Sequence, residues 1–454
     1  MSPVDDADWR YRYLCTATYC TGMFIGGCCL NVVGPVGPTL TSSMHVSLTA
    51  VGNVFSAEGA GNTLGSVLIG TLLSRYSGHG VFLAVCAVLF FVVGLVPSCS
   101  SMSQVVGLYV VVGCCLGLIN AASNTLITWV QAGRNVGPWV NLVNACFGLG
   151  ASGAPLLFVA VEKRVGNGLA VFSAIAAIAA IPAAAASILP SPSAPPPKSA
   201  AAPEDESTKP LKGLGTGHGT STLAGVDLGS RANYVRVTVV APLMVTMTLV
   251  IGSEIAFAGW VYSYAMERAG MHSTEAAYLN SLFWTTLTVG RLCAIPLAAF
   301  LTPAALVVPG MAIEVASFLL IFAYPGSARV LWIATVGAGI GVCPFYSNVL
   351  SMLASYDLHT PSTVSAVGMS AALGHMSLPN LAGVVIHSTE AGYDGLVYIC
   401  GVGNVLGFAL LTVVVLHLQQ NFEPNMDSVQ GRARLRALRR VSAAETAEEQ
   451  FATL

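Results

Sequence analysis

Charge is scarce in this chain. Of its 454 residues only 9% are Asp, Glu, Lys or Arg, where soluble domains carry about a quarter. So little charge cannot coat a water-facing surface, which excludes a soluble globular protein and makes lipid the expected solvent. The near-zero net charge of −2 selects no partner. A basic run at the N-terminus is also missing: residues 1–12 are mixed and acidic, so no cleaved signal peptide is expected and the first apolar run serves for targeting. No Cys/His spacing resembles a zinc site. No nucleophile elbow, paired metal-ligand motif or phosphate-binding loop is present. Enzyme chemistry, a metal cofactor and a nucleic-acid partner are therefore not expected. The 12 Cys lie almost all inside apolar runs, where small soft side chains serve packing; only Cys99 falls near an expected external loop.

What the chain has instead is apolar sequence, 54% hydrophobic at a mean hydropathy of +0.72, with 47 Gly of the kind that lets helices approach in a bilayer. It also repeats itself. Gly113, Gly117, Ser123, Asn124 and Leu126 recur, 224 positions on, as Gly337, Gly341, Ser347, Asn348 and Leu350. Leu149, Gly150, Pro155 and Leu157 recur at the same distance as Leu373, Gly374, Pro379 and Leu381, and Gly65 matches Gly290 one residue further. A register held over several segments indicates a duplicated apolar unit, and parallel repeats in a helical membrane protein mark secondary transporters.

A membrane helix needs about 20 apolar residues. Twelve such runs are present, at 13–36, 48–73, 81–98, 104–130, 139–161 and 168–189, then 235–266, 275–300, 303–324, 329–356, 363–388 and 392–418. The expected fold is all-α, with 12 transmembrane helices as two six-helix repeats. The domains are a cytoplasmic N-terminus (1–12), a first bundle (13–189), a Pro-, Gly- and Ser-rich disordered linker (190–234), a second bundle (235–418) and a polar tail (419–454). With both termini and the linker placed inside, fifteen of the nineteen Lys and Arg are cytoplasmic, Arg75, Arg134 and Arg291 among them, and four (Lys163, Arg164, Arg268, Arg329) are outside. That orientation follows the positive-inside rule. A multi-pass protein of the plasma membrane is expected.

Twelve helices in two sixes with a long central linker resemble the major facilitator superfamily. The loop signature between its second and third helices is matched by Gly70-Thr-Leu-Leu-Ser74-Arg75-Tyr-Ser-Gly78-His79, with Ser74 where the family has Asp. The resemblance implies a gating role for Gly70 and Arg75, and Gly290 and Arg291 are gating candidates in the second half. Gly117-Leu-Ile-Asn120-Ala-Ala-Ser-Asn124 and Phe147-Gly-Leu-Gly-Ala-Ser-Gly-Ala-Pro155 resemble the fourth and fifth helices of the fucose permease group. Gly252-Ser-Glu254 through Tyr264, and Phe283-Trp284 through Gly290-Arg291, resemble the seventh and eighth helices of its sodium-dependent glucose transporter-like branch. Asn120 stands where the permease has a proton-accepting acid. An amide does not titrate, so the resemblance implies no proton coupling at that position.

Intramembrane polar residues are costly and by default functional candidates. Three acids lie inside apolar runs: Glu58, Glu254 and Glu314. Glu254, followed by Trp260, Tyr262 and Tyr264, is the leading candidate for substrate or cation binding; a structural acid bonded to a neighbouring helix is the plainer alternative. Glu58, among small residues, is either a coupling or a structural acid. Glu314 is expected to pair structurally, with a group such as Arg291. Asn120, Asn124, Asn144 and Asn348 offer both donors and acceptors to a polyhydroxyl ligand, although the repeated Ser-Asn pair has the look of shared interhelical glue. Trp260, Trp284, Phe283, Phe345 and Tyr346 supply stacking faces, and His375 is either a ligand or a core hydrogen-bonder. The expected activity is transport of a small polar solute, a monosaccharide first, by alternating access, as a uniporter or with Na+ or H+ as the coupling ion. A nucleoside, drug-like or organic-anion carrier, or a non-transporting membrane sensor with a transporter fold, is the alternative.

Overall fold

The computed structural model describes residues 3–47, 49–132, 136–193, 234–298 and 300–424. Most of the expected linker and tail, together with Arg134, lie outside them. The described residues contain no strand. The first bundle is formed by α1 (Pro3–Asn31), α2 (Val33–Met44), α3 (Thr49–Arg75), α4 (Gly78–Leu95), α5 (Met102–Val130), α6 (Gly137–Val165) and α7 (Ala170–Ile188). The second is formed by α8 (Ala241–Glu267), α9 (Ser273–Leu297), α10 (Pro303–Ala323), α11 (Ala328–Val342), α12 (Phe345–Ser355), α13 (Pro361–Ser388) and α14 (Asp394–Asn421). A π-helical turn, Arg236–Val240, leads into α8.

Two of the crossings are broken helices. α1 and α2 are interrupted at Val32, just before Gly34 and Pro35, and α11 and α12 are interrupted at Pro344, whose ring removes a backbone donor and clashes with the preceding turn. Ten segments are long and apolar enough to span a bilayer on those grounds alone. The two remaining crossings are α3 and α9, of 27 and 25 residues. Both are interrupted by polar residues: Asn53, Ser56, Glu58, Asn62, Thr63 and Ser66 in α3, and Asn280, Ser281, Thr285, Thr286, Thr288 and Arg291 in α9. They occupy the same place in the two repeats and are flanked by neighbours, α3 by α5 and α13, α9 by α6 and α11. A helix shielded from lipid by other helices can carry polar groups that a lipid-facing helix cannot.

The Gly pairs of the duplication do the same work in both halves. A Cβ on Gly150 in α6 would collide with the carbonyl oxygen of Phe24 in α1, and a Cβ on its repeat partner Gly374 in α13 would collide with that of Thr248 in α8. Each bundle is therefore joined at a point where one helix backbone rests on another. Such approach is how membrane helices gain packing energy without a hydrophobic drive toward each other.

The chain ends define one end of the molecule. Tyr11 donates to the Pro190 carbonyl at 2.9 Å, Arg12 donates to the Val130 carbonyl at 2.8 Å, and Tyr234 meets His417 at 3.3 Å. The start of α1, the ends of α5, α7 and α14 and the entry to α8 thus share this end, and the α2–α3 and α8–α9 turns lie at the other. We expect Gly150→Ala and Gly374→Ala each to lower the unfolding temperature in detergent by several degrees, since overpacking a rigid contact costs about 1–3 kcal/mol. Gly70→Ala, whose Cβ would meet nothing within 4 Å, is expected to leave it unchanged.

Candidate functional site

Between the bundles the halves are sealed at the end bearing the α2–α3 and α8–α9 turns. Asn31 of α1 donates to the Asn280 side chain of α9 at 2.8 Å. Ser56 of α3 donates to the Met376 carbonyl of α13 at 2.6 Å, and Ser281 of α9 donates to the Ser152 carbonyl of α6 at 2.6 Å. Asn380 of α13 donates to Asn53 of α3 at 2.9 Å. A Cβ on Gly34 would sit 2.7 Å from the Gly259 carbonyl oxygen, so α2 and α8 touch backbone to backbone. Phe55 and Trp260 complete the seal with ring centroids 6.0 Å apart.

Below this seal, toward the chain termini, lies a cavity of about 590 Å³ enclosed by α3, α5, α8, α12 and α13. Its polar lining comes from Asn62, Thr63, Ser66, Asn120, Tyr346, Ser365 and His375, and the rest is apolar, including Ile251, Ile255 and Met369. Among the described residues no Asp, Glu, Lys or Arg lines it. A concave, largely apolar pocket with a few convergent polar groups is the usual form of a small-molecule site. These amides, hydroxyls and one imidazole offer hydrogen bonds, with no carboxylate, ammonium or guanidinium among them.

Asn120 is held for this task by a relay of amides. Asn144 of α6 donates to Asn124 Oδ1 at 2.8 Å, and Asn124 donates to Asn120 Oδ1 at 2.8 Å. This network orients the amides, and among the described residues Asn120 Nδ2, at the cavity lining, has no acceptor. Asn124 also donates to the Asn120 carbonyl at 2.9 Å. Its repeat partner Asn348 makes the equivalent bond, to the Pro344 carbonyl at 2.8 Å, and is buried. The shared Asn pair thus fastens its own helix in both copies. The unshared position faces the cavity as Asn120 in one copy and breaks a helix as Pro344 in the other. His375 reaches the cavity from α13, and its Nε2 is buried without a hydrogen-bond partner.

The other candidates sit elsewhere. Trp260 donates to the Pro379 carbonyl at 2.8 Å and belongs to the seal. Trp284 packs edge-on against Phe147 and Phe283, with its Nε1 buried and unpartnered. Glu58 is fully buried on α3, with neither carboxyl oxygen hydrogen-bonded. Glu254 is buried inside the second bundle, outside the cavity lining, and its partner is Arg291, at 3.8 Å. The expected Glu314–Arg291 pair does not form: the guanidinium lies beside Glu254 instead, because α9 presents Arg291 to α8. Gly290 packs against Cys343, whose Sγ would be 2.6 Å from a Cβ there. Gly70 and Arg75 are exposed, and among the described residues no ion pair involves Arg75.

The cavity residues that sequence reading passed over are Asn62, Thr63 and Ser66 on α3 and Ser365 on α13. The signal was there. Gly59, Asn62, Thr63 and Ser66 recur at helical three- and four-residue spacing, as do Ser365, Gly368, Ala372 and His375 on α13.

The family model for the Major Facilitator Superfamily matches residues 19–355. Sodium-dependent glucose transporter 1 of Rattus norvegicus is 25% identical over 438 residues, covering 88% of this chain and 84% of its own. Its counterpart in Danio rerio is 24% identical over 420 residues, covering 86% and 67%. Among solved structures, a D-xylose-proton symporter superposes with a TM-score of 0.67 at 14% identity, over 89% of this chain and 97% of that one. The nucleoside transporter NupG superposes with a TM-score of 0.64 at 15% identity, over 89% and 98%. These two likenesses concern the fold.

In a background cleared of reactive native thiols, we expect Ser66→Cys and Ser365→Cys to be alkylated readily by a hydrophilic maleimide. Ser281→Cys, at the seal, should resist it. Equal labelling at the three positions would contradict a cavity open only toward the termini.

Proposed function

The chain belongs to the Major Facilitator Superfamily, and from that membership we propose that it carries a monosaccharide across the membrane by alternating access, with Na+ as the coupling ion. The observation that carries this reading is the neutral cavity. A sugar offers many hydroxyls and no charge, and recognising it requires donors and acceptors without a countercharge. The amides of Asn62 and Asn120, the hydroxyls of Thr63, Ser66, Tyr346 and Ser365 and the imidazole of His375 supply both. An organic anion would call for a fixed cation that this lining lacks. The glucose-transporting relatives support the sugar and the sodium ion alike.

Substrate contact is assigned to Asn120 and His375, with Asn124 and Asn144 positioning Asn120. Trp260 and the interhelical bonds at Asn31, Asn53, Ser56 and Ser281 serve as the gate that opens when the bundles rock. The orientation puts both termini in the cytoplasm, as the distribution of Lys and Arg supports, so the cavity faces inward. Gating by Gly70, Arg75, Gly290 and Arg291, and a plasma-membrane location, belong to the same reading.

Uptake of radiolabelled hexose into proteoliposomes tests it. Uptake is expected to exceed that of empty liposomes and to rise with an inward Na+ gradient; no uptake of any hexose would remove the sugar. Asn120→Ala is expected to raise the half-saturating sugar concentration roughly three- to tenfold, the loss of one neutral hydrogen bond, at an unchanged unfolding temperature. Asn348→Ala is expected to lower the unfolding temperature instead.

A further inference from the structure

The second bundle contains a polar cluster that neither the cavity nor the seal uses. Glu254 and its neighbour Ser253 come from α8, Glu314 from α10 and Asn404 from α14. All four are buried, Ser253 and Asn404 with 0% of their surface exposed. The Glu254 and Glu314 carboxyls are near enough to interact electrostatically, and the Asn404 amide faces the Glu314 carboxyl. Yet neither Asn404 Oδ1 nor Nδ2, nor Glu314 Oε2, nor Ser253 Oγ has a hydrogen-bond partner. Ser253 lies against the same stretch of α14: a Cβ on Gly403 would be 2.7 Å from its Oγ, and Cys400 Sγ meets its carbonyl at 3.6 Å. Among the described residues Arg291 is the basic group paired with the cluster, 3.8 Å from Glu254 and 47% exposed.

Unpartnered polar atoms in a buried, membrane-embedded site are expensive, and three residues of the cluster, Ser253, Glu314 and Asn404, leave theirs unsatisfied. We propose that this cluster binds a monovalent alkali cation, Na+, through oxygens of Glu254, Glu314, Asn404 and Ser253. Formal charge decides the valence. With both carboxyls ionised beside one guanidinium the cluster would carry −1, which a monovalent ion neutralises and a divalent ion overshoots. Ligand number decides between Na+ and a proton. A proton on one carboxyl makes a single hydrogen bond, whereas a cation collects several oxygens at once. The inference deepens, and rests on, the reading of the chain as a Na+-coupled carrier, and it moves the coupling site out of the substrate cavity and into the wall of one bundle.

The test is the unfolding temperature of the purified full chain in detergent, titrated with NaCl against choline chloride at matched ionic strength. A saturable, Na+-specific rise is expected. Glu314→Gln, Asn404→Ala and Ser253→Ala should each raise the half-saturating Na+ concentration about tenfold or more. Ser253→Ala removes one oxygen at nearly constant volume and reports even where the other two fail to fold. No Na+-specific rise in the unsubstituted protein, or one unchanged by Ser253→Ala, overturns the site, as does a rise that follows pH and not Na+. Hexose uptake without a Na+ shift would defeat the site and leave the carrier standing. A Na+ shift without hexose uptake would do the reverse.

Discussion

The rest of this structure depends on helix backbones that rest directly on one another at glycines, as at the repeat pair Gly150 on Phe24 and Gly374 on Thr248. In a bilayer, lipid tails are as apolar as leucine, so burial does not drive helices together; close packing and interhelical hydrogen bonds do. With no side chain at these glycines, α1 locks to α6 and α8 locks to α13. Each lock also fixes the rotation of its helices, and rotation decides which side chains turn toward the partner bundle. Asn144 on α6 and His375 on α13 are carried toward the centre by helices held in this way.

Duplication supplied the frame, and departure from it supplied the chemistry. Asn124 and Asn348 make the same bond to the carbonyl four residues back, so their recurrence reflects one structural task done twice. At the neighbouring position the copies part. Asn120 continues a helix and offers an amide to the cavity, whereas Pro344 ends a helix and lets α12 swing its Tyr346 into the same space.

The two ends of the bundle interface are chemically distinct. At the sealed end, among the described residues, four side-chain hydrogen bonds cross between the halves, all between neutral groups and of modest strength, together with aromatic and backbone contacts. Bonds of this kind are individually weak enough to break when the halves rock and jointly specific enough to re-form in one register. Charge is kept away from both the seal and the cavity. The acids reside inside the bundles, Glu58 in the first and Glu254 and Glu314 in the second, where each is surrounded by protein.

Much of the fold was legible in the chain alone, because a bilayer imposes length, apolarity and repeat on any helix that crosses it. The twelve runs, the two halves and the packing role of the repeated glycines followed from those constraints, even at α3 and α9, whose polar residues make them poor spans in isolation. Asn120 stood out because its repeat partner is a proline. What the chain did not disclose is which residues meet across more than two hundred positions. That Arg291 pairs with Glu254 and not with Glu314, that Trp260 seals while Asn62 and Ser66 line the cavity, and that Asn348 turns inward on its own helix are matters of helix rotation. Rotation is set by backbone contacts between helices remote in sequence, and only the assembled bundle determines them.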